Sequence, residues 1–378
     1  MTALPCDDRP GVFGPGTLKE LPRIARELGL RRILLVTGRG SFTASGAADV
    51  LPALEEIAEV ETWSDFAPNP AVDDLVVGSR MAENIRPDGI VAIGGGSVLD
   101  MAKLLAVFLG RTSEEIRADV RANHVTDRTP ALVLVPTTSG SGSEATRFAV
   151  AYIGDEKFSV AHPALLPDSV ILDPTLSESA RPYQKATSVI DAIAQAVESH
   201  WARGATVTSR SFARDALADL VPSAPAFVGG DSPAAVLAAR GSHLAGRAID
   251  LSKTTGAHAM SYGLTKRHGI SHGHAVATTL GGFARLHASR ASSPDGSDEL
   301  QQDLESIAAL IGADDIHQVG DSLDEIAAGL GLELRLGALG VSRSDLRVLA
   351  GAVNRERLAN NPLEVSESEL AELLESCW

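Results

Sequence analysis

The sequence predicts a doubly wound α/β domain with a mostly parallel sheet over residues 1–176, followed by an all-α helical domain over residues 177–378. Three observations carry this. Short, nearly continuous apolar runs in the first half each end in Gly, Ser or Thr and lead into a helix, as strands buried on both faces of a parallel sheet do. From about residue 181 onward the pattern is rich in Ala, Leu, Glu and Arg with helical periodicity and no strand signature. The chain has 378 residues and is 44% hydrophobic, enough for two cores.

In chain order, Leu18, Leu21, Ile24 and Leu28 recur at helical spacing over residues 17–29, before a strand at 32–37 (RILLVT). Further strands are expected at 89–93 and 131–135. A hairpin is expected from 149–153 and 157–161 around Gly154-Asp155. The last strand, 169–172, is closed by Asp173-Pro174, and the join between domains falls at about 173–182. The helical half is interrupted by 229–233, Gly263, Gly269 and the polar stretch 289–298, part of an exposed loop at 288–299.

Composition narrows the function. The net charge is −16, from 33 basic and 49 acidic residues, which argues against a nucleic-acid partner, since phosphate contacts need a basic stripe. No window approaches 18 uninterrupted apolar residues, so no membrane span is expected. The opening MTALPCDDRPGVFGPG has no basic and apolar leader pattern, which makes cytoplasm the expectation. Cys6 and Cys377, at opposite ends, make neither a disulfide framework nor a cysteine-rich zinc site. Only six of the basic residues are lysines (Lys19, Lys103, Lys157, Lys185, Lys253 and Lys266), so each marks a position where a compact ammonium is wanted.

Two glycine-rich turns follow strands. Gly94-Gly95-Gly96-Ser97 opens a helix. It is either a phosphate cradle, with free N–H groups at the helix start facing an anion, or a plain tight β–α turn. Ser97 is placed to cap that helix, and Asp100 is expected in its first turn, where the dipole favours an acid. The second turn, 136–144 (PTTSGSGSE), includes Thr137, Thr138 and Ser141 and can hydrogen-bond ribose and phosphate without charge. Two such turns at the carboxyl ends of parallel strands suit a dinucleotide.

Asp191 sits within an apolar helix, with Gln195 four residues later on the same face and His200 on another. His258, His268, His272 and His274 follow in a second segment. A helical carboxylate with histidines from separate segments is ligand chemistry for Fe(II) or Zn(II), and an incomplete shell leaves room for substrate.

Together these segments resemble the iron-containing (group III) alcohol dehydrogenases over nearly the whole chain. The resemblance rests on FGPGTLKEL, the Pro68-Asn69-Pro70 turn, GGGSVLDMAK, PTTSGSGSEAT, Lys157 after the hairpin, DAIAQAVES and the 14-residue step from His258 to His272. It implies a dinucleotide-binding first domain, a helical second domain, a homodimer and one divalent metal, Fe(II) by default and Zn(II) as the alternative. It assigns the metal ligands to Asp191, His258 and His272, with Gln195 standing where the family has a further His. It assigns the cofactor to Gly38, Asn69, Gly95, Gly96, Ser97, Asp100, Thr137, Thr138, Ser141 and Lys157. Tyr262, four residues after His258, stands where many members carry a second active-site His, and Tyr262 or His268 is the expected end of a proton route. An Asp at the Gly38 position favours NAD in relatives; here Gly38 and Arg39 leave NADH and NADPH both open, with a slight lean to NADH.

The variant segments SKTTGAHAMSYGLT and HGISHGHAVA, with TRFAV and Gln195, look like the members that reduce phosphonoacetaldehyde to 2-hydroxyethylphosphonate in phosphonate antibiotic biosynthesis. A phosphonate needs cations and hydroxyls; Lys253 beside Ser252 and Thr254 offers both, and Arg147 adds a guanidinium. The alternatives are a family member acting on an uncharged aldehyde, alcohol or diol, a dehydroquinate synthase-like lyase, and a non-catalytic nucleotide-binding protein whose metal site has decayed through Gln195.

Overall fold

The computed structural model describes residues 3–4, 10–154, 156–293 and 296–378. Cys6 and Asp155 lie outside these residues. The chain divides into two compact units, Met1–Ala180 and Arg181–Trp378.

The first unit is built on a six-stranded parallel sheet. Its strands are β1 (Gly11–Phe13), β2 (Arg32–Thr37), β3 (Glu59–Trp63), β4 (Gly89–Gly94), β5 (Ala131–Pro136) and β8 (Ser169–Leu172), in the order β1-β8-β5-β4-β2-β3. The other two strands, β6 (Phe148–Ile153) and β7 (Glu156–Ala161), pair antiparallel as a separate hairpin. Its helices are α1 (Leu21–Glu27), α2 (Ser41–Ala44), α3 (Leu51–Glu55), α4 (Val72–Ile85), α5 (Gly96–Phe108) and α6 (Ser113–Ala122).

Alternate residues of each central strand enter different cores. Leu34, Val36, Ile90, Ala92, Leu132 and Leu134 pack with α4, α5 and α6. Ile33, Leu35, Val91, Ile93, Val133 and Val135 pack with α1, α2 and α3. Both faces are thus covered, which is why these strands read as unbroken apolar runs.

The sequence reading missed β1 and β3. β1 has three residues, and β3 (EVETW) is an edge strand with most of its side chains exposed or half-exposed, so it carries no apolar signal.

The second unit is helical among its described residues: α7 (Pro182–Trp201), α8 (Val207–Val228), α9 (Ser232–Ser252), α10 (Gly256–His268), α11 (His272–Ala291), α12 (Asp298–Ile311), α13 (Val319–Gly329), α14 (Arg343–Gly351), α15 (Arg355–Leu358) and α16 (Glu367–Ser376). One apolar core joins α7 through α14 and α16. No described helix is long and apolar enough to cross a membrane.

Candidate functional site

In the first unit, the two glycine-rich turns lie against each other. A Cβ on Gly95 would come within 3.4 Å of the Thr138 methyl, and one on Gly96 within 2.7 Å of Ser141 Oγ. Close approach therefore requires Gly96, whose missing side chain lets the α5 N-terminus meet the second turn. The Thr137 N–H donates to Gly94 O at 3.0 Å and ties the turns at their roots. Asn69 adopts a left-handed backbone (φ 65°) and its N–H donates to Ser97 Oγ at 3.1 Å. Asn69, Gly95, Gly96, Ser97, Thr137, Thr138 and Ser141 thus share one neighbourhood.

Two expectations for this region are corrected. The N-cap of α5 is Gly95, in extended conformation, and the Ser97 hydroxyl makes no capping bond. Asp100 lies beyond the first turn of α5, which carries no acidic residue. Its Oδ1 accepts from Ser143 Oγ at 2.6 Å and its Oδ2 from the Val150 N–H at 3.0 Å. Burial pushes Asp100 up, while the nearby Lys103 and Lys157 ammonium groups pull it down.

Lys103, three residues further along α5, is fully buried. Its ammonium donates to Ser143 O, to Thr146 O at 2.8 Å, to Thr146 Oγ1 at 3.0 Å and to Phe148 O at 2.9 Å. Sequence reading noted this lysine as rare but gave it no role. Asp100 and Lys103 together fasten the segment after the second turn to the helix that begins at the first. At the end of β2, a Cβ on Gly38 would meet Ser41 Oγ at 2.3 Å. The neighbouring Arg39 is ion-paired with Asp65.

In the second unit, α7, α10 and α11 bring Asp191, His258 and His272 together. One ligand atom from each lies within 4.8 Å of the others. Asp191 Oδ1 is 3.3 Å from His258 Nε2 and 3.8 Å from His272 Nε2. The α11 start can come this close because residue 273 is glycine: a Cβ there would lie 2.0 Å from Thr187 O and 2.8 Å from the Asp191 Cβ. Both rings are turned the same way. His258 Nδ1 meets Glu198, and His272 Nδ1 meets Ser261 Oγ at 3.3 Å, so each Nε2 faces Asp191. Tyr262 stacks on His272, with ring centroids 6.1 Å apart and planes 15° apart.

These residues fit a divalent metal. His258 Nε2 is buried yet has no hydrogen-bond partner, which costs free energy unless something else satisfies it. Burial works against a charge on His258, but the Glu198 and Asp191 carboxylates outweigh it and push the imidazole up to about 10. Two buried carboxylates around one ring call for positive charge, and two nitrogens with one oxygen suit Fe(II) or Zn(II). Gln195 is on the Asp191 face as expected, but its Nε2 donates to Asp191 Oδ2 at 3.1 Å, so its amide nitrogen is turned to the carboxylate.

The remaining predicted residues have partners of their own. His268 Nε2 is 4.0 Å from Asp345, and His274 bonds Tyr183 at 3.0 Å and Glu333 O at 2.7 Å. Ser252 is buried and its hydroxyl bonds Ser199 Oγ at 2.7 Å, so it is committed to helix packing and presents nothing to a substrate. Thr254 is likewise buried, and its carbonyl accepts from Asn360. Lys253 is exposed and its ammonium pairs with Glu356 at 3.2 Å. Its backbone sits at φ 61°, ψ 173°, a region used almost only by glycine. Arg147 belongs to the first unit, where its carbonyl accepts from the His162 N–H at 2.9 Å.

Glu198 was missed. It lies seven residues after Asp191, two turns along the same face of α7, and that spacing was the available signal.

A doubly wound unit with two apposed anion-capable turns, followed by a helical unit with a two-imidazole, one-carboxylate cluster, defines a metal-dependent, dinucleotide-linked oxidoreductase. Residues 10–174 match the family described as iron-containing alcohol dehydrogenase, and residues 185–378 match the Fe-containing alcohol dehydrogenase family, C-terminal. The chain belongs to the iron-containing alcohol dehydrogenase family. It is 29% identical to phosphonoacetaldehyde reductase of Streptomyces viridochromogenes, covering 95% of this chain and 91% of that one. It is equally 29% identical to long-chain-alcohol dehydrogenase 1 of Geobacillus thermodenitrificans, covering 97% and 94%. Among solved structures, sulfoacetaldehyde reductase from Bifidobacterium kashiwanohense in complex with NAD+ superposes with a TM-score of 0.89 at 26% identity, covering 100% of this chain and 99% of that one.

Proposed function

We propose that the protein reduces a short aldehyde bearing an anionic head group, phosphonoacetaldehyde being the specific candidate, with NADH as hydride donor and Asp191, His258 and His272 holding one divalent metal. The observation that carries the reading is the convergence of both histidine Nε2 atoms on Asp191 Oδ1. The bound metal would supply Lewis acidity at the carbonyl oxygen, and the nicotinamide a hydride. Asp191 offsets the metal's charge, and the two rings, fixed through their Nδ1 atoms, keep both lone pairs aimed at one point. Tyr262, stacked on His272, is the proposed holder of the proton delivered to the carbonyl oxygen. In the first unit the apposed turns offer hydroxyls and N–H groups to the dinucleotide phosphates. NADH as donor is supported by the NAD+ named with the sulfoacetaldehyde reductase structure; the exposed Arg39–Asp65 pair, worth about 0–1 kcal/mol, does not by itself exclude a 2′-phosphate.

The anionic substrate rests on two relatives whose named substrates are two-carbon aldehydes carrying a phosphonate or a sulfonate. Lys253 is the proposed cation. Its pair with Glu356 is exposed, hence worth about 0–1 kcal/mol, and a dianion can displace it. That same pair favours a second reading, an uncharged substrate, because Lys253 already has a counter-charge. The test is anaerobic oxidation of NADH and NADPH by Fe(II)-loaded protein, with phosphonoacetaldehyde and propanal compared. A kcat/KM advantage of a hundredfold or more for the phosphonate is expected; comparable values would refute the anionic substrate and leave the uncharged one.

A further inference from the structure

Glu198 is the most completely engaged carboxylate near the cluster, and neither the proton route nor the ligand set uses it. It is fully buried on α7. Its Oε1 accepts from Thr255 Oγ1 at 2.8 Å, from the Ala257 N–H at 2.9 Å, from the Thr255 N–H at 3.2 Å and from the His258 N–H at 3.4 Å. These donors form the N-terminal turn of α10, whose N-cap, Thr255, makes no capping bond from its own side chain. The Glu198 Oε2 meets His258 Nδ1. One carboxylate therefore both caps the helix that carries His258 and Tyr262 and fixes the ring of His258.

We propose that Glu198 is a positioning residue for the metal: it holds the proton of His258 on Nδ1, so that the Nε2 lone pair is the one presented beside Asp191. The inference rests on the metal reading of Asp191, His258 and His272. The physical argument is one of tautomers. A neutral imidazole has one N–H and one lone pair, and a carboxylate at Nδ1 can only accept, so the proton stays there. Glu198→Gln breaks this while keeping most of the cap. The amide oxygen can still receive the Thr255 and Ala257 donors, which leaves the amide NH2 against His258 Nδ1. That nitrogen must then be bare, and the proton moves to Nε2, the atom the metal needs.

The experiment compares wild type, Glu198→Gln and His272→Ala by zinc and Fe(II) affinity in chelator competition, alongside the melting temperature of each metal-free protein. For Glu198→Gln the expected result is a 10–100-fold weaker affinity. The metal-free melting temperature should also fall, since a buried charge loses its partner, and imidazole nitrogen NMR of zinc-loaded wild type separates positioning of the ring from that structural loss. Wild-type affinity in Glu198→Gln, with His272→Ala losing metal, overturns the role of Glu198 and leaves the cluster standing. Wild-type affinity in His272→Ala removes the cluster itself, and the inference with it. If Glu198→Gln does not fold, imidazole nitrogen NMR of zinc-loaded wild type decides. A protonated Nδ1 and metallated Nε2 on His258 support the proposal, and metallation through Nδ1 overturns it.

Discussion

Lys103→Met removes the buried ammonium while keeping the volume of the stem. In the structure Lys103 holds three backbone carbonyls and a hydroxyl belonging to residues 143–148. One of the carbonyls keeps a second partner, since the single proton of Thr146 Oγ1 can go to either Ser143 O or Phe148 O, each at 3.2 Å. The loss is therefore less than four full bonds. Hydrogen bonds from a charged donor contribute about 1.5–3 kcal/mol each. Counting Thr146 O as losing its donor, the other contacts as partly compensated, and Asp100 as losing its nearby cation, the variant should be destabilised by about 3–5 kcal/mol, the range for a broken buried charge pair. For a unit of this size that is a fall of roughly 10 °C in melting temperature. The second turn would also lose its fastening to α5, so NADH binding to the protein that remains folded should weaken roughly tenfold, equivalent to about 1.4 kcal/mol. Calorimetry of the metal-free protein and NADH fluorescence titration below the transition read the two effects separately. A melting temperature within 2 °C of wild type would refute the stability argument. An unchanged NADH affinity would show that the fastening does not reach the cofactor.

Three further outcomes follow from the same geometry. His287 is buried between Trp201 and Phe283 with Asn361 on its Nε2, and burial pushes it down to about 3. The unfolded chain takes up a proton near pH 6.5 that the folded one refuses, so the neutral ring's contribution is full above pH 6.5 and is lost as pH falls toward 3. The slope is at most about 1.4 kcal/mol per pH unit. Urea titrations between pH 6.5 and 4.5 should show that slope shrink in His287→Gln, and an unchanged slope would refute the assignment. Gln195→His replaces the amide turned toward Asp191 with an imidazole, and zinc affinity should rise at least tenfold; no gain would show that position 195 does not reach the metal. Lys253→Gly relieves a backbone conformation suited to glycine while losing a weak exposed pair, so stability should rise by about 1 kcal/mol. The same variant should raise KM for phosphonoacetaldehyde tenfold or more and leave propanal unaffected, and equal effects on both would remove Lys253 from substrate binding.

What the sequence could reveal depended on whether a residue's role is local or arises from chain segments meeting. The strands β2, β4, β5 and β8 were legible because burial on both faces writes itself as an apolar run, whereas β3 was not, since an edge strand with Glu59 and Glu61 outward carries no such run. Asp191, His258 and His272 were legible because ligand chemistry restricts residue type and the resemblance restricts spacing. Ser252 shows the converse error. A hydroxyl beside a lysine reads as an anion site, but α9 turns Ser252 inward against Ser199, and only helix phase and packing decide that. The partners of Asp100 were hidden in the same way, since they lie 43 and 50 residues further along the chain. Glu198 and Lys103 were hidden for one shared reason. Each is a charged residue inside an apolar helix, which sequence reading treats as an interruption, yet each is buried because backbone groups of a distant segment surround it. A charge that survives burial must have found its partners, so the charged residues of α5 and α7 that look least suited to a core are the ones that hold the cofactor turn and the metal-ligand helix in place.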